Sequence, residues 1–278
     1  MRIKTYLEFI KIEHTLFALP FAYAGALIAG EIDSRIALLI LFAFTGLRTF
    51  AMAFNRIIDR EIDALNPRTA KRHLPSGLMS LKEAYTIAFI GLSVYIFSAF
   101  LINWTAFIFS PIPAVVAYVY PYLKRFTCLS HYFLGLNLAL APLGGWIAVK
   151  DSLDFDLNIL LFSASVVFWV AGFDIIYALQ DAEFDRKYGL HSLGAHFGEN
   201  FAKWISRINH LIFFSLIAFF FSNFPFLLPP IAFLLFLEHY LVRKEHSEQR
   251  IQMSFFYINA IISSTILLSV LIYFLQKL

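Results

Sequence analysis

The sequence predicts an all-α, polytopic membrane protein. Hydrophobic residues make up 60% of its 278 positions and charged residues 15%, against roughly 45–50% and 25% in soluble domains. Mean hydropathy is +0.71. The apolar residues gather into runs long enough for the ~20-residue helix that crosses a bilayer. The runs are continuously apolar, which excludes the alternating strands of a membrane barrel.

Nine spans can be read in order. The residues before Glu13 and His14 suit a short interfacial helix, and the first span covers 14–30. Ala22-Tyr23-Ala24 resembles a cleavage site, but the apolar run starts late and continues to Ala29, so this span is expected to be retained. The second span, 36–55, carries Arg48 and runs into an acidic motif. The third, 84–102, follows the turn Leu74-Pro75-Ser76-Gly77, and the fourth, 104–121, leads to Lys124-Arg125. The fifth is 131–149; the sixth, 157–178, contains Asp174 and enters a second acidic motif. Spans at 204–222, 224–241 and 253–275 complete the set. No linker or low-complexity tract divides the chain, so residues 1–278 are expected to form one domain. The long polar segments are 56–83, 179–203 and 242–252.

With these spans, all but Arg35, Lys150 and Lys277 of the 22 lysines and arginines fall on one side. The positive-inside tendency makes that side cytoplasmic, with the N-terminus, and both acidic motifs open onto it. The expected location is a bacterial cytoplasmic (inner) membrane. The net charge of +3 is therefore a topological signal and not one for nucleic acid. Cys128 is the only cysteine, which excludes an intrachain disulfide or a multi-cysteine metal site. No His-Glu-x-x-His or Ser-His-Asp pattern is present, and His191 and His196 lie in a loop with ordinary spacing.

The chemistry is concentrated in two stretches. Asn55, Asp59 and Asp63 form an i, i+4, i+8 stripe, with Arg48 on nearly the same face one to two turns deeper. Asp181 and Asp185 repeat it, with Tyr177 in the place of Asn55 and Asp174 deeper; both aspartate pairs are separated by 122 residues. Each motif is followed by a basic loop, a weak internal repeat that predicts two related halves facing a shared cavity. Such acids can also be solvated groups at helix ends, neutralised by Arg56, Arg60, Arg186 and Lys187. However, two carboxylates ~6 Å apart repel by roughly 3 kcal/mol at an effective dielectric near 20, and cations remove that penalty. Oxygen ligands without interleaved cysteine or histidine suit Mg²⁺, whose open positions substrate phosphates fill.

Basic side chains should complete an anion site. Arg68, Lys71 and Arg72 follow the first motif, Lys124 and Arg125 the fourth span, and Lys187 the second motif; Arg72 and Lys124 are the first choices. Arg48 and Asp174 lie within apolar spans, where an ionisable group costs about 2.5–3.5 kcal/mol or more, so they should face a polar cavity or pair with one another. Arg48 then anchors an anionic group of a second substrate. Phe54, Tyr118, Phe173 and Tyr177 are candidates for lining the cavity with ring faces that stabilise a cation. A cation-coupled transporter is the rival from another class, but it predicts charges at mid-membrane and not at one rim.

Taken together, these residues resemble the UbiA superfamily of intramembrane prenyltransferases. The resemblance rests on Asn55 to Asp63, Pro67-Arg68-Thr69-Ala70-Lys71-Arg72-His73-Leu74-Pro75-Ser76-Gly77, and Asp174 to Asp185. Arg48, Tyr120-Pro121 with Lys124-Arg125, and Gly144-Gly145-Trp146 extend it over roughly residues 10–200. It implies nine helices around a central cavity and a polyprenyl diphosphate bound through Mg²⁺. Position by position, Asn55, Asp59, Asp63, Asp181 and Asp185 become metal residues, and the four aspartates catalytic. Asn55, Lys71, Arg72, Lys124, Arg125 and Lys187 would bind the diphosphate; Arg48, Asp174 and Tyr177 fall at the acceptor.

Two departures stand out: Arg56 replaces an acid that often follows the Asn, and His73 a usual proline, so fewer carboxylates would hold the first cation. The Asn-Arg form and Lys11 to Pro20 look more like the branch acting on 4-hydroxybenzoate or on 1,4-dihydroxy-6-naphthoate, in ubiquinone or menaquinone synthesis. Haem, chlorophyllide and ether-lipid acceptors, or a silent prenyl-binding protein, are the alternatives the family leaves.

Overall fold

A computed structural model describes residues 2–243, 251 and 253–276. Most of the polar segment expected over 242–252, and Lys277, lie outside the described residues. Among the described residues every regular element is helical. The helices are α1 (Arg2–Phe9), α2 (Thr15–Ala29), α3 (Ser34–Ile58), α4 (Arg60–Leu65), α5 (Leu81–Ile102), α6 (Trp104–Phe109) and α7 (Pro111–Leu123). They continue with α8 (Ser130–Lys150), α9 (Leu157–Ala178), α10 (Ala182–Tyr188), α11 (Leu193–Phe197), α12 (Glu199–Phe220), α13 (Leu228–Leu241) and α14 (Asn259–Leu275). A π-helical turn, Met253–Ile258, leads into α14.

Helix coincides with each expected span. Among the described residues six stretches are by length and composition able to cross a membrane alone, and Ala18–Ala29 and Pro225–Leu241 are apolar but shorter. The protein is a multi-pass membrane protein. Its outward faces are apolar, with Phe97 62%, Phe233 62% and Phe236 65% exposed, as a lipid-facing belt requires. The expected fourth span is broken: Ser110 separates α6 from α7, and Pro111, which has no N–H to lose, starts the second piece.

Helix starts are set by side-chain caps. Asp33 accepts from the Ile36 N–H at 2.7 Å, Asn103 from Ala106 at 2.7 Å, and Asp156 from Ile159 at 2.9 Å. Ser80 and Glu83 form a reciprocal capping box on α5, and the Tyr6 hydroxyl donates to Glu83 at 3.0 Å, tying α1 to that end. Ser80→Ala should lower stability by about 1 kcal/mol; thermal unfolding of the detergent-solubilised protein would measure it.

Packing runs from helix to helix around a central space: α5 on α3, α3 on α7, α7 on α8, α8 on α9, α9 on α12, and α2 against α8 and α14. The main core lies among α2, α9, α12 and α14. Its centre is the fully buried Trp169, whose ring lies 4.8 Å from Phe21 and 4.9 Å from Phe173. Between α2 and α8 the backbones nearly touch at Gly25 and Gly145, the small-residue contact expected where van der Waals packing joins helices in lipid.

Candidate active site

Both acidic motifs bend the chain at the same place. The Asp59 backbone sits at φ −91°, ψ 0° between α3 and α4. Asp181 sits at φ −104°, ψ 0° between the turn Leu179–Asp181 and α10. These are bridge-region conformations, common at active sites. The helical stripe survives the bend, since the Asp59 N–H donates to the Asn55 carbonyl at 3.0 Å and the Asp63 N–H to the Asp59 carbonyl at 2.7 Å.

One cavity of about 300 Å³ receives both motifs. Asn55, Asp59, Asp63, Asp181 and Asp185 all line it, as do Arg72, Lys124, Arg48, Asp174 and Tyr177. Three carboxylates are neutralised there. The Lys124 ammonium is 2.5 Å from Asp59, and Arg72 donates to both Asp63 oxygens at 2.7 and 2.9 Å. Asp181 accepts from Asn66 at 2.8 Å and from Arg68 Nε at 2.9 Å, with a second bond from Arg68 Nη2. Arg68 also donates to the Tyr177 hydroxyl at 3.2 Å. The loop after the first motif therefore grips the second. The loop after the second is tied to the end of α7, since the His191 N–H donates at 2.7 Å to the carbonyl of Lys124, the residue whose ammonium pairs with Asp59.

Burial pushes the Asp59 carboxyl above the usual carboxylate range, while Lys124 pulls the other way. Among the described residues Asp59 Oδ1 has no hydrogen-bond partner, and neither do Arg56 Nε and Nη1, although Arg56 lines the cavity. An acceptor without a hydrogen bond and a cation with idle donors, on two residues that line one small space, suit a ligand that brings positive and negative charge together. The carboxylates do not form a ready cage. Among the described residues no three histidine, cysteine or carboxylate side chains are grouped to hold a metal unaided.

Arg48 lines this cavity and also a second, mostly apolar one of about 320 Å³, which includes Phe44, Tyr95, Asn137 and Gly144. Asp174 pairs with His131, not with Arg48, at 2.7 Å between His131 Nδ1 and Asp174 Oδ2. Phe173 and Tyr177 line the polar cavity as expected, and Phe255 joins them, its ring 4.3 Å from Tyr177 and 5.3 Å from Phe173. Phe255 is carried on the π turn. The Asn259 amide donates to the Ser254 and Phe255 carbonyls, both at 3.1 Å, and to the fully buried Glu238, also at 3.1 Å. Such turns recur at functional sites.

Other expected residues are placed elsewhere. Lys71 and Lys187 are exposed and do not line the cavity; Lys187 lies 5.6 Å over the Tyr188 ring. Two residues on from Asp185, Lys187 points to the opposite side of α10. Arg125 stands behind the site, 3.8 Å from Asp59, donating to the Ile58 carbonyl at 2.8 Å. Phe54 and Tyr118 meet edge to face, their ring centroids 5.2 Å apart, and neither lines the cavity. Asn66 and His131 were not legible as site residues, because their partners are 115 and 43 positions away on other elements.

A family model described as the UbiA prenyltransferase family matches residues 18–261. Among curated relatives, the chain is 32% identical over 199 residues to the 4-hydroxybenzoate octaprenyltransferase of Vibrio cholerae, covering 71% of this chain and 66% of that protein. It is 34% identical over 161 residues to a polyprenyl transferase of Arthrobotrys oligospora, covering 57% of this chain and 43% of that protein. The match to the Arabidopsis thaliana mitochondrial 4-hydroxybenzoate polyprenyltransferase covers 39% of that protein, so the chain spans less than half of these two relatives. Among solved structures, an apo UbiA homologue from Aeropyrum pernix K1 superposes with a TM-score of 0.84 at 35% identity, over 96% of this chain and 99% of that one. A UbiA homologue from Archaeoglobus fulgidus, solved with GPP and Mg²⁺, shares the fold at a TM-score of 0.74 and 23% identity, over 96% of this chain and 99% of that one.

Proposed function

The chain belongs to the UbiA prenyltransferase family, and from that premise we propose that residues 1–278 form one intramembrane prenyltransferase domain. It transfers a polyprenyl group from polyprenyl diphosphate to a hydroxylated aromatic acid, 4-hydroxybenzoate or 1,4-dihydroxy-6-naphthoate, in quinone biosynthesis. The site faces the cytoplasm from a bacterial inner membrane, with the N-terminus on the same side. One observation carries this reading: two acidic motifs and the bases Arg56, Arg68, Arg72 and Lys124 line one cavity that meets an apolar one at Arg48.

Asn55, Asp59, Asp63, Asp181 and Asp185 would hold Mg²⁺. Their donor chemistry fits, being all oxygen with Asp59 Oδ1 not hydrogen-bonded among the described residues, and Mg²⁺ typically takes one or two carboxylates and completes its shell from substrate phosphates and water. When bound, Mg²⁺ supplies Lewis-acid polarisation of the departing diphosphate. Lys124, Arg72 and Arg68 exchange their carboxylate partners for phosphate oxygens, and Arg56 brings donors that are already idle. These charges stabilise the leaving group as the allylic C–O bond breaks. The apolar walls exclude water from the allylic cation and hold the prenyl tail, while Arg48 pairs with the acceptor carboxylate.

The direct test is purified protein with Mg²⁺, a polyprenyl diphosphate and a panel containing both aromatic acids, with products identified by mass. Covalent prenylated product supports the reading; its absence with every acceptor refutes it. Within that assay, Arg72→Ala should slow transfer roughly 100-fold. Lys187→Ala, at an exposed position outside the cavity, should stay within about twofold.

A further inference from the structure

We propose that His131 is the base that takes the ring proton of the acceptor, held and polarised by Asp174. The assignment rests on the prenyl transfer proposed above, which leaves that proton without a defined destination. His131 is the second residue of α8, 4% exposed, and lines the polar cavity. Its Nδ1 lies 2.7 Å from Asp174 Oδ2 on α9. A carboxylate at that distance accepts the Nδ1 proton, which leaves the Nε2 lone pair as the acceptor. Nε2 is buried and has no hydrogen-bond partner among the described residues. A basic nitrogen oriented by a carboxylate, with its other face unengaged, is the arrangement expected of a general base.

The pair lines the same cavity as Arg48 and the four aspartates of the acidic motifs. Asp59, Asp63 and Asp181 are engaged by Lys124, Arg72 and Arg68 and are assigned to the diphosphate end. Among the described residues neither His131 nor Asp174 is ion-paired with a lysine or arginine, and in the proposed function the histidine has no other task.

The electrons and the proton balance through this pair. The allylic C–O bond breaks and its electron pair leaves with the diphosphate oxygen. The ring carbon ortho to the hydroxyl donates a π pair to the prenyl carbon, forming the C–C bond. The C–H bond at that ring carbon then breaks: its electron pair restores aromaticity and its proton passes to Nε2. The imidazolium that forms is stabilised by Asp174, and the released diphosphate carries the proton away.

The test uses His131→Gln in the full-length protein, with 4-hydroxybenzoate and its analogue deuterated at both positions ortho to the hydroxyl. Thermal stabilisation by Mg²⁺ with inorganic pyrophosphate monitors folding and the diphosphate end. H131Q should keep that stabilisation, lose about 100-fold in rate, and acquire a normal deuterium isotope effect because C–H cleavage has become limiting. The wild-type protein should show an isotope effect near unity. H131Q at wild-type rate, or slowed without an isotope effect, overturns the assignment. If H131Q loses the pyrophosphate stabilisation, D174N carries the test, and a wild-type rate and isotope effect there overturn it. A wild-type protein that is stabilised by magnesium pyrophosphate yet prenylates no acceptor refutes the parent reaction and this assignment with it. That result is distinct because it appears without any substitution at His131.

Discussion

Asp181→Ala will lower Mg²⁺-dependent prenyl transfer by roughly 10³-fold or more, because it removes a cation ligand and unbalances the loop that joins the two motifs. Asp181 accepts three hydrogen bonds, one from Asn66 and two from Arg68, and both donors come from the loop behind the other motif. Its loss leaves the Arg68 guanidinium, one-fifth exposed, with only the Tyr177 hydroxyl. Asp181→Asn separates the two effects: it keeps an acceptor for the loop but not the charge for a cation. Transfer should therefore stay abolished in D181N while thermal stability recovers toward the wild-type value. Steady-state assays with and without EDTA, alongside thermal unfolding, check both parts. Near-normal turnover in either variant would take Asp181 out of the mechanism.

Gly145→Val will destabilise the protein by roughly 3 kcal/mol or more, the upper range of overpacking costs. A Cβ at Gly145 would lie 2.0 Å from the Ala22 carbonyl oxygen and 2.8 Å from the Ala26 nitrogen, both backbone atoms of α2. Backbone cannot swing aside as a side chain can, so α2 and α8 must separate. Gly25 reciprocates from α2, its Cβ position lying 2.0 Å from the Pro142 carbonyl oxygen. Gly144 is the internal control. Its Cβ would meet nothing within 4 Å, so Gly144→Ala should be neutral or slightly stabilising, Ala being the better helix former by up to ~1 kcal/mol. Unfolding temperatures of the two variants in one detergent give the comparison directly.

The fold was legible to the extent that bilayer physics writes itself into composition. Continuous apolar runs of helical length predicted the long helices, but not the short α4 and α10 that also line the cavity, because both fall in polar segments; Pro111 was available as the signal for the break at Ser110. The bends at Asp59 and Asp181 were not legible, because an i, i+4, i+8 stripe is equally compatible with an unbroken helix. At the site, Asn55, Asp59, Asp63, Asp181 and Asp185 were readable because acids at apolar helix ends are costly and these recur at a fixed offset. Basic residues were harder to sort. The bias that places lysine and arginine on one side acts whether or not a residue touches ligand, so Lys71 and Lys187 looked like Arg72 and Lys124. Arg68 stood among the same loop bases with nothing to mark it for Asp181, and His131 had no local pattern at all. What identifies both is a partner on a distant element, and that pairing exists only once α8, α9 and the first loop pack together.

The central claim is that the two acidic motifs serve one anion site. It is tested most directly by calorimetric titration of inorganic pyrophosphate with Mg²⁺ into the wild-type protein, D59N and D181N. One binding event per chain, lost in either variant, is the predicted result. Two independent binding events, each lost with its own motif and indifferent to the other, would contradict it.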